Sequence, residues 1–202
     1  MAQLFYQGHS SFRIISGSGL VLYIDPYKGE GYDIPADVIL VTHDHFDHCR
    51  VDIVEKKPDT TIITYNEAIT DGEYNAWEIN DILVEAVPAY NKNHPKESCV
   101  GYVITLDGRK LYFAGDTGVI EEMKDLAPRG IDIFFCPMDG IYTMTTEEAE
   151  LADSYVKPGY VVPIHTAPQY QKDDDSPYDI ETAEKFRSDH KVIVRPGESM
   201  VV

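Results

Sequence analysis

The chain of 202 residues is 43% hydrophobic and 26% charged, as expected for a globular protein with a substantial core, and we expect one domain over residues 1–202. Its formal net charge is −18, from 35 acidic and 17 basic residues, and the sequence contains no basic stripe. This composition excludes the basic surface that nucleic-acid binding requires, and an acidic surface repels anionic lipid headgroups. We therefore expect a small-molecule substrate, with neither a nucleic-acid partner nor a membrane partner.

The cysteines and the N-terminal segment predict a cytoplasmic location. Cys49, Cys99 and Cys136 are odd in number and lack the spacing of metal fingers, so we expect reduced thiols. Residues 1–6 have neither the basic region nor the apolar stretch of a secretory signal. No apolar run approaches the roughly 18 residues of a membrane span.

The first half of the chain is predicted to form mainly strands, from apolar or alternating segments bounded by turn signals. The Ser-Gly-Ser-Gly sequence at 16–19 predicts a hairpin turn. A short helix is predicted over residues 50–57, closed by Pro58. The predicted strands cover residues 12–15, 20–24, 38–41, 61–64, 76–79 and 82–87.

The second half is predicted to mix strands and helices. Asp107-Gly108 predicts another hairpin turn, and Thr145 with Glu148 forms a capping box at the start of a helix. The predicted strands cover residues 100–105, 110–114, 131–136, 160–164, 191–194 and the tail 199–202. The predicted helices run from the capping box to about Val156 and from Ser176-Pro177 to about His190.

A weak internal repeat relates the two halves. Residues 20–25 and 111–116 are both strands that end in aspartate, and each is followed by a buried strand, 38–41 or 131–135. Two similar halves suggest two sheets packed face to face with helices outside, although pattern alone indicates only an α/β or α+β class.

The densest group of potential metal ligands is the segment 42–48, Thr-His-Asp-His-Phe-Asp-His. The predicted buried strand before it delivers three imidazoles and two carboxylates to one loop. Imidazole and carboxylate ligands together suit zinc, iron or manganese. His43 and His45 can converge on one ion, while Asp47 and His48 can turn to a second ion beside it.

The pattern His43-x-His45-x-Asp47-His48 after a hydrophobic strand resembles the signature of the metallo-β-lactamase superfamily. The similarity extends along most of the chain and is greatest to small, stand-alone metal-dependent hydrolases related to ascorbate-6-phosphate lactonase. The resemblance implies an αββα sandwich whose site lies along one edge, where strand ends from both halves meet. It also implies two divalent metal ions as cofactor, zinc being favoured over manganese or iron.

Further ligands follow from the same resemblance. Asp116, in a Gly-Asp-Thr-Gly turn after a predicted strand, is similar to the family's bridging aspartate, and His165 resembles its last ligand. The third histidine of the first site has two candidates: the resemblance favours His94, which precedes a hairpin, over His9, which would then line the pocket or support the ligands. Asp25 resembles the aspartate that orients a metal-bound histidine, with a turn-initiating Asp-Pro as the alternative.

These groups predict a dinuclear zinc hydrolase of a small ester, lactone or phosphodiester. Two divalent ions about 3.5–4 Å apart can hold a water and lower its pKa to near neutral, and the resulting hydroxide attacks a polarised carbonyl or phosphoryl centre. Asp47 is the expected proton carrier, and Tyr142 an expected hydrogen-bond donor to the oxyanion. Tyr90, Asn91 and Lys96 are expected either to contact the substrate or to support the ligands.

Two other functions stay open from the sequence. A mononuclear iron dioxygenase of the same fold keeps the histidine motif, so metal content must separate it from a hydrolase. A metal-binding protein without catalysis would carry the same ligand set. A homo-oligomer also stays open, because some relatives of this type assemble, which is analogy alone.

Overall fold

A computed structural model of the protein describes residues 1–168 and 178–202. The strands of the first sheet are β1 (Gln3–Gly8), β2 (Ser11–Ile15), β3 (Val21–Ile24), β4 (Ala36–Leu40), β5 (Lys56–Ile63) and β14 (Ser199–Val201). Those of the second sheet are β8 (Ala76–Ile79), β9 (Ile82–Pro88), β10 (Val100–Leu106), β11 (Arg109–Phe113), β12 (Ile133–Pro137) and β13 (Tyr160–Ile164). The described residues also contain a small hairpin of β6 (Ile69–Thr70) and β7 (Glu73–Tyr74). Their helices are α1 (Tyr65–Ala68), α2 (Thr146–Val156), α3 (Ile180–Lys185) and a 3₁₀ helix (Glu121–Arg129).

The two six-stranded sheets share one pattern of strand directions, although the edge strand β14 comes from the C-terminal end of the chain and its counterpart β8 directly precedes β9. Their strand orders are β14-β1-β2-β3-β4-β5 and β13-β12-β11-β10-β9-β8. In the first sheet β1, β2 and β3 pair antiparallel, and β3, β4 and β5 pair parallel. In the second sheet β9, β10 and β11 pair antiparallel, and β11, β12 and β13 pair parallel. The internal repeat predicted from the sequence corresponds to this shared order, and the expected pair of facing sheets is confirmed.

The main core lies between the sheets, because strand residues alternate between the inner and outer faces. Phe113 and Phe135 stack on the inner face of the second sheet with ring centroids 4.1 Å apart. Phe12 from the first sheet packs against both rings, at 5.5 Å and 4.8 Å. Their neighbours Tyr112 and Phe134 point to the outer face and stack at 5.0 Å. The edge-to-face and offset contacts of these rings add to the apolar burial that holds the sheets together.

The outer faces of the two sheets are covered differently. On the second sheet, the 3₁₀ helix and α2 bury Met123, Leu126 and Val156 against its outer face. On the first sheet, the loops on either side of β4 cover the outer face, and they contribute Tyr32 and Val54 to a smaller apolar cluster. The predicted helix over residues 50–57 is therefore wrong: 51–54 are turns and bends, and β5 already begins at Lys56.

The contacts of residues 51–56 explain why no helix forms over residues 50–57. Val54 is buried beneath this segment, while the Lys56 ammonium donates to the carbonyl oxygens of Val51 and Val54. A helix over residues 50–57 would bond the Val51 carbonyl to the Glu55 N–H but would leave the Val54 carbonyl opposite Pro58, which has no N–H. The contacts of Lys56 and the burial of Val54 therefore outweigh local helix propensity.

The C-terminal prediction also needs correction. The last helix ends at Lys185 rather than near His190, and the predicted start at Ser176-Pro177 lies outside the described residues. The predicted strand 191–194 is reduced to a single bridge between Lys191 and Val161. The helix predicted from the capping box is confirmed: the Thr145 hydroxyl accepts the Glu148 N–H, and the Glu148 carboxylate accepts the Thr145 N–H.

Candidate metal centre

The candidate site lies at one edge of the sandwich, where the carboxyl ends of the parallel strands of both sheets meet. Loops after five strands supply its side chains, and the β1–β2 and β9–β10 connections end at the same edge. Backbone hydrogen bonds join the sheets there, from Val100 N–H to Thr42 O at 3.0 Å and from His165 N–H to His9 O at 2.9 Å. The side chains at this edge are His9, Asp25, Thr42, His43, His45, Asp47, His48, His94, Asp116, Asp139 and His165.

The loop after β4 folds tightly so that its ligand candidates face two ways. The His48 N–H donates to the His45 carbonyl oxygen at 3.0 Å, which closes a turn. His43 and His45 consequently face His94, and the potential ligand atoms of these three residues all lie within 4.8 Å of one another. A second group, with the same spacing limit, consists of His9, Asp47, His48 and His165.

Asp116 lies between these two groups. Its Oδ2 is 3.4 Å from His94 Nε2, 3.4 Å from His165 Nε2 and 3.9 Å from His43 Nε2, and its Oδ1 is 3.5 Å from His48 Nε2. Gly115 makes this placement possible, because its φ is +65° and an added Cβ would lie 2.5 Å from the Val100 carbonyl oxygen. One carboxylate therefore faces four imidazoles with its two oxygens.

Each of these four imidazoles has a partner near its other nitrogen. His48 Nδ1 lies 2.9 Å from Asp25 Oδ2, and His165 Nδ1 lies 3.1 Å from Asp139 Oδ2. The partners of the other two are neutral: His43 Nδ1 lies 3.0 Å from Thr42 Oγ1, and His94 Nδ1 lies 3.1 Å from Asn91 Oδ1. Each Nδ1 thus lies beside an oxygen that can accept its proton, so each Nε2 would be able to present a lone pair to a metal ion beside Asp116, as metal-ligating histidines commonly do.

Asp25 organises the start of the metal loop as well as His48. Its Oδ1 accepts the Thr42 N–H at 2.8 Å, and its Oδ2 accepts the Thr42 hydroxyl at 2.8 Å. The Thr42 hydroxyl oxygen is then left to accept from His43. This carboxylate therefore reaches both groups of ligand candidates, directly through His48 and indirectly through Thr42.

His9 lies beside the second group and contacts Asp47. Its side chain is fully buried, and its Nε2 lies 3.1 Å from Asp47 Oδ2. Burial lowers the pKa of His9 to about 3, so the neutral ring donates Nε2–H to the carboxylate. The ring also packs on His165, with centroids 3.7 Å apart. His94, rather than His9, shares a group with His43 and His45.

Three residues of the cluster have a left-handed backbone conformation, which residues other than glycine adopt only with strain. The φ angles are +55° at His9, +44° at Asp25 and +44° at His165. Each of these residues directly follows a strand end or a hairpin glycine. The surrounding hydrogen bonds maintain this strain, which is typical of functional sites.

The pKa values of the protein groups indicate a site that attracts cations. Burial lowers the pKa of His94 to about 4, and burial with repulsion by His48 holds the pKa of His43 well below its usual range. For His48, burial is outweighed by the carboxylates of Asp116 and Asp25, which raise the pKa to about 9. The cluster also contains four carboxylates, and burying them requires compensating positive charge. They belong to Asp25, Asp47, Asp116 and Asp139.

Several buried polar atoms at this edge have no hydrogen-bond partner among the described residues. They include the Nε2 atoms of His43, His48 and His165 and Oδ1 of Asp116. Leaving buried polar atoms unpaired costs free energy, and these converge on a common region. Nitrogen and carboxylate donors with unused lone pairs fit divalent metal ions of the zinc, manganese or iron type.

A cavity of about 240 Å³ opens onto this cluster, lined by His45, Phe46, Asp47, His94, Asp116, Tyr142 and His165. Tyr142 also lines an adjoining cavity of about 520 Å³ that includes Tyr90, Asn91 and Lys92. The two cavities together can admit a small molecule to the candidate ligands.

The other predicted contact residues, Tyr90, Asn91 and Lys96, are held by other protein groups. Lys96 pairs with Glu122 at 2.7 Å and lies over the Tyr90 ring, and the Tyr90 hydroxyl also donates to Glu122. Asn91 supports its surroundings, because its amide nitrogen donates to the Tyr142 carbonyl oxygen at 2.8 Å. Neither Lys96 nor Tyr90 lines the cavity beside Asp116.

The sequence interpretation missed Asp139 and Thr42. Asp139 follows a predicted buried strand and precedes glycine, but it lacks the Gly-Asp-Thr sequence by which Asp116 was identified. Thr42 directly precedes the first histidine, but its hydroxyl role depends on contact with Asp25, which is distant in sequence.

Within residues 1–168 and 178–202, no helix has the length and apolar character needed to cross a membrane.

Comparisons with known proteins identify the family. Residues 3–165 match the β-lactamase superfamily domain. A UPF0173 metal-dependent hydrolase of Thermococcus onnurineus is 31% identical with 98% of each chain covered, and one of Pyrococcus furiosus is 30% identical with 99% of each covered. The solved structure of Igni18, a metallo hydrolase of Ignicoccus hospitalis, aligns with a TM-score of 0.75 at 25% identity, covering 98% of this chain and 97% of that one. The resemblance inferred from the histidine loop is thereby confirmed, and the chain belongs to the UPF0173 metal-dependent hydrolases of the β-lactamase superfamily.

Proposed function

We propose that the protein is a dinuclear metal hydrolase that cleaves a small ester, lactone or phosphodiester. The observation that carries this proposal is the Asp116 carboxylate, which faces the Nε2 atoms of four histidines at 3.4–3.9 Å. Two divalent cations would also balance the four negative charges of the buried carboxylates Asp25, Asp47, Asp116 and Asp139. The family names of the relatives support the same class of activity.

The residues divide naturally between two ions. His43, His45 and His94 would hold one ion, and Asp47, His48 and His165 the other, with Asp116 shared between them. When bound, such ions supply Lewis acidity and lower the pKa of a water ligand. Zinc is the favoured metal, with manganese and iron as alternatives.

Asp47 and His9 form the proton-handling part of the site. Asp47 lines the cavity, and the neutral His9 ring fixes the position of its Oδ2 by donation from Nε2 at 3.1 Å. A carboxylate held at this position can carry a proton toward a leaving group in the same cavity. Its pKa is lowered, because donation from His9 and attraction to nearby imidazoles outweigh the effect of burial.

Tyr142 is the side chain that connects the cluster to the adjoining cavity. It lines both cavities, so its hydroxyl can donate to an oxygen of the substrate or to a developing oxyanion. The protein surface is acidic, with a net charge of −18, which supports a small-molecule substrate over nucleic acid.

Metal removal and restoration test this proposal. Protein stripped with a chelator should hydrolyse none of an ester, a lactone and a phosphodiester, and adding back zinc, manganese or iron should restore cleavage of at least one. His190→Ala is a suitable control, because this histidine pairs with Asp153 outside the cluster. Metal-loaded protein that hydrolyses nothing would contradict the proposal, and oxygen consumption by an iron-loaded form would favour a dioxygenase.

A further inference from the structure

Asp139 connects the candidate metal centre to the loop that lines the substrate cavity. Its carboxylate is inaccessible to solvent, and its Oδ1 accepts the backbone N–H groups of Ile141, Tyr142 and Thr143 at 2.7, 2.8 and 3.0 Å. Its Oδ2 lies 3.1 Å from His165 Nδ1. The two oxygens thus have different tasks, one in the loop and one at the histidine.

The contact with His165 is specific, because neither atom has an alternative. The approach is too bent to count as a full hydrogen bond, and both Asp139 Oδ2 and His165 Nδ1 lack any other hydrogen-bond partner among the described residues. Leaving two buried polar atoms unpaired is costly, and at 3.1 Å only a small rotation of either side chain would let His165 Nδ1–H donate to Asp139 Oδ2. His165 is held in place from the backbone side as well, through its N–H bond to the His9 carbonyl oxygen at 2.9 Å.

We propose that Asp139 is a positioning residue that keeps the proton of His165 on Nδ1, leaves Nε2 free to bind metal beside Asp116, and fixes the Tyr142 loop with its other oxygen. This inference rests on the proposed function. A metal-ligating histidine commonly donates its second N–H to a carboxylate, which fixes the tautomer and the ring orientation. Here the same carboxylate also sets the backbone that carries Tyr142, so ligand geometry and substrate-loop geometry depend on one side chain.

Asp139→Asn separates the two tasks. The three backbone N–H groups require an acceptor, so the amide oxygen of the variant will face the loop and its NH₂ group will face His165. That NH₂ group donates to an unprotonated Nδ1 and forces the proton of His165 onto Nε2, the atom needed for the metal. We expect a 10–100-fold loss of affinity for one ion, a range typical when such partners are removed. The loop bonds persist, so the melting temperature should stay close to that of the wild type.

Asp153→Asn is the matched control. Asp153 Oδ1 lies 3.0 Å from His190 Nε2, so this variant removes a carboxylate from another Asp–His pair, one between α2 and the 190–192 segment. It should leave metal affinity unchanged. Asp139→Ala should lose both metal affinity and the three loop bonds, and should therefore also melt at a lower temperature.

Zinc competition against a chromophoric chelator, with the visible spectrum of the cobalt-substituted protein, provides the measurement. The expected result is weaker binding and a changed cobalt spectrum in Asp139→Asn but not in Asp153→Asn. Wild-type affinity and spectrum in Asp139→Asn would overturn this inference while leaving the proposed function intact. Absence of metal binding by the wild-type protein would overturn the proposed function and this inference together.

A measurement on the wild type covers the case in which the variant fails to fold. Long-range ¹H–¹⁵N correlation spectra of the zinc-loaded protein report which nitrogen of each histidine carries a proton. The inference predicts a proton on Nδ1 and metal on Nε2 for His165, and a proton on Nε2 would overturn it.

Discussion

The two groups of ligand candidates differ in what supports their imidazoles. In the group of His43, His45 and His94, the supporting oxygens are neutral: the Thr42 hydroxyl and the Asn91 amide. The second group, without His9, which contacts Asp47, consists of Asp47, His48 and His165. The supporting oxygens of its two histidines belong to the carboxylates of Asp25 and Asp139. His45 is also exposed, whereas the members of the second group are buried.

This difference indicates that one cluster can combine a metal site whose histidines have neutral partners with one whose histidines have carboxylate partners. A carboxylate behind an imidazole raises its basicity as a ligand, and Asp47 adds a further negative charge to the second group. We therefore expect the second group to bind its ion more tightly, and the first, more exposed group to exchange its ion more readily. Variants of Asp116, Asp25, Thr42 and Tyr142 test this contrast, and the change at Asp116 affects both groups.

Asp116→Asn should have the largest effect, because this carboxylate faces both groups. The amide keeps the shape but loses the charge and bridges poorly, so we expect loss of one metal and a fall in hydrolysis of at least about a hundredfold. Metal per chain, circular dichroism and turnover should be measured on the same sample. Asp132→Asn, which removes a carboxylate paired with Arg109, is the control. Two retained metals with unchanged turnover would show that Asp116 is only a turn residue.

Asp25→Asn should weaken mainly the second group. The variant loses the acceptor for His48 Nδ1–H, so affinity for the tighter ion should fall by about 10–100-fold. Calorimetric zinc titration of stripped protein resolves the two binding events. A loss confined to the weaker event would contradict the assignment of Asp25 to the second group.

Thr42→Val should have a smaller effect, directed mainly at the first group. A neutral hydrogen bond contributes about 1 kcal/mol, so removing the acceptor for His43 should weaken its ion by about fivefold. Some loss in the second group is also expected, because the hydroxyl donates to Asp25. Thr42→Ser keeps the hydroxyl and should bind zinc as the wild type does. If Thr42→Val weakened zinc binding as much as Asp25→Asn, the contrast between neutral and charged partners would fail.

Tyr142→Phe should have the smallest effect and should leave both ions in place. Loss of one hydroxyl contact to the substrate or oxyanion should lower kcat/KM by about fivefold to tenfold. Steady-state kinetics with parallel metal analysis on the variant checks this. A loss of metal in the variant would place Tyr142 in the support of the cluster rather than in contact with substrate.

The first sheet's contribution to the site could be predicted from the sequence more completely than the second's. The loop after β4 places four ligand candidates within a few residues, so their proximity needs no knowledge of the fold. The contribution of the second sheet is spread from His94 to His165, and only the pairing of the strands from β9 to β13 brings those residues together. His94 could be favoured over His9 only by resemblance.

The role of Asp139 could not be predicted because it depends on a non-local contact. Asp-Gly after a strand is an ordinary turn signal, and its meaning changes only when the parallel pairing of β12 and β13 sets the aspartate beside His165. Residues 50–57 show the opposite case, in which a local helical pattern gives way to burial of Val54 against the first sheet. In both places tertiary contacts decide what local sequence leaves open.

Anomalous diffraction at the zinc edge, on crystals of zinc-loaded wild-type protein, tests the central claim most directly. The account predicts two peaks about 3.5–4 Å apart. One should lie about 2.0–2.1 Å from His43 Nε2, His45 Nδ1 and His94 Nε2, and the other at ligand distance from Asp47, His48 and His165, with Asp116 between them. A single peak, or a peak bound by His9 with His94 more than about 4 Å away, would contradict it.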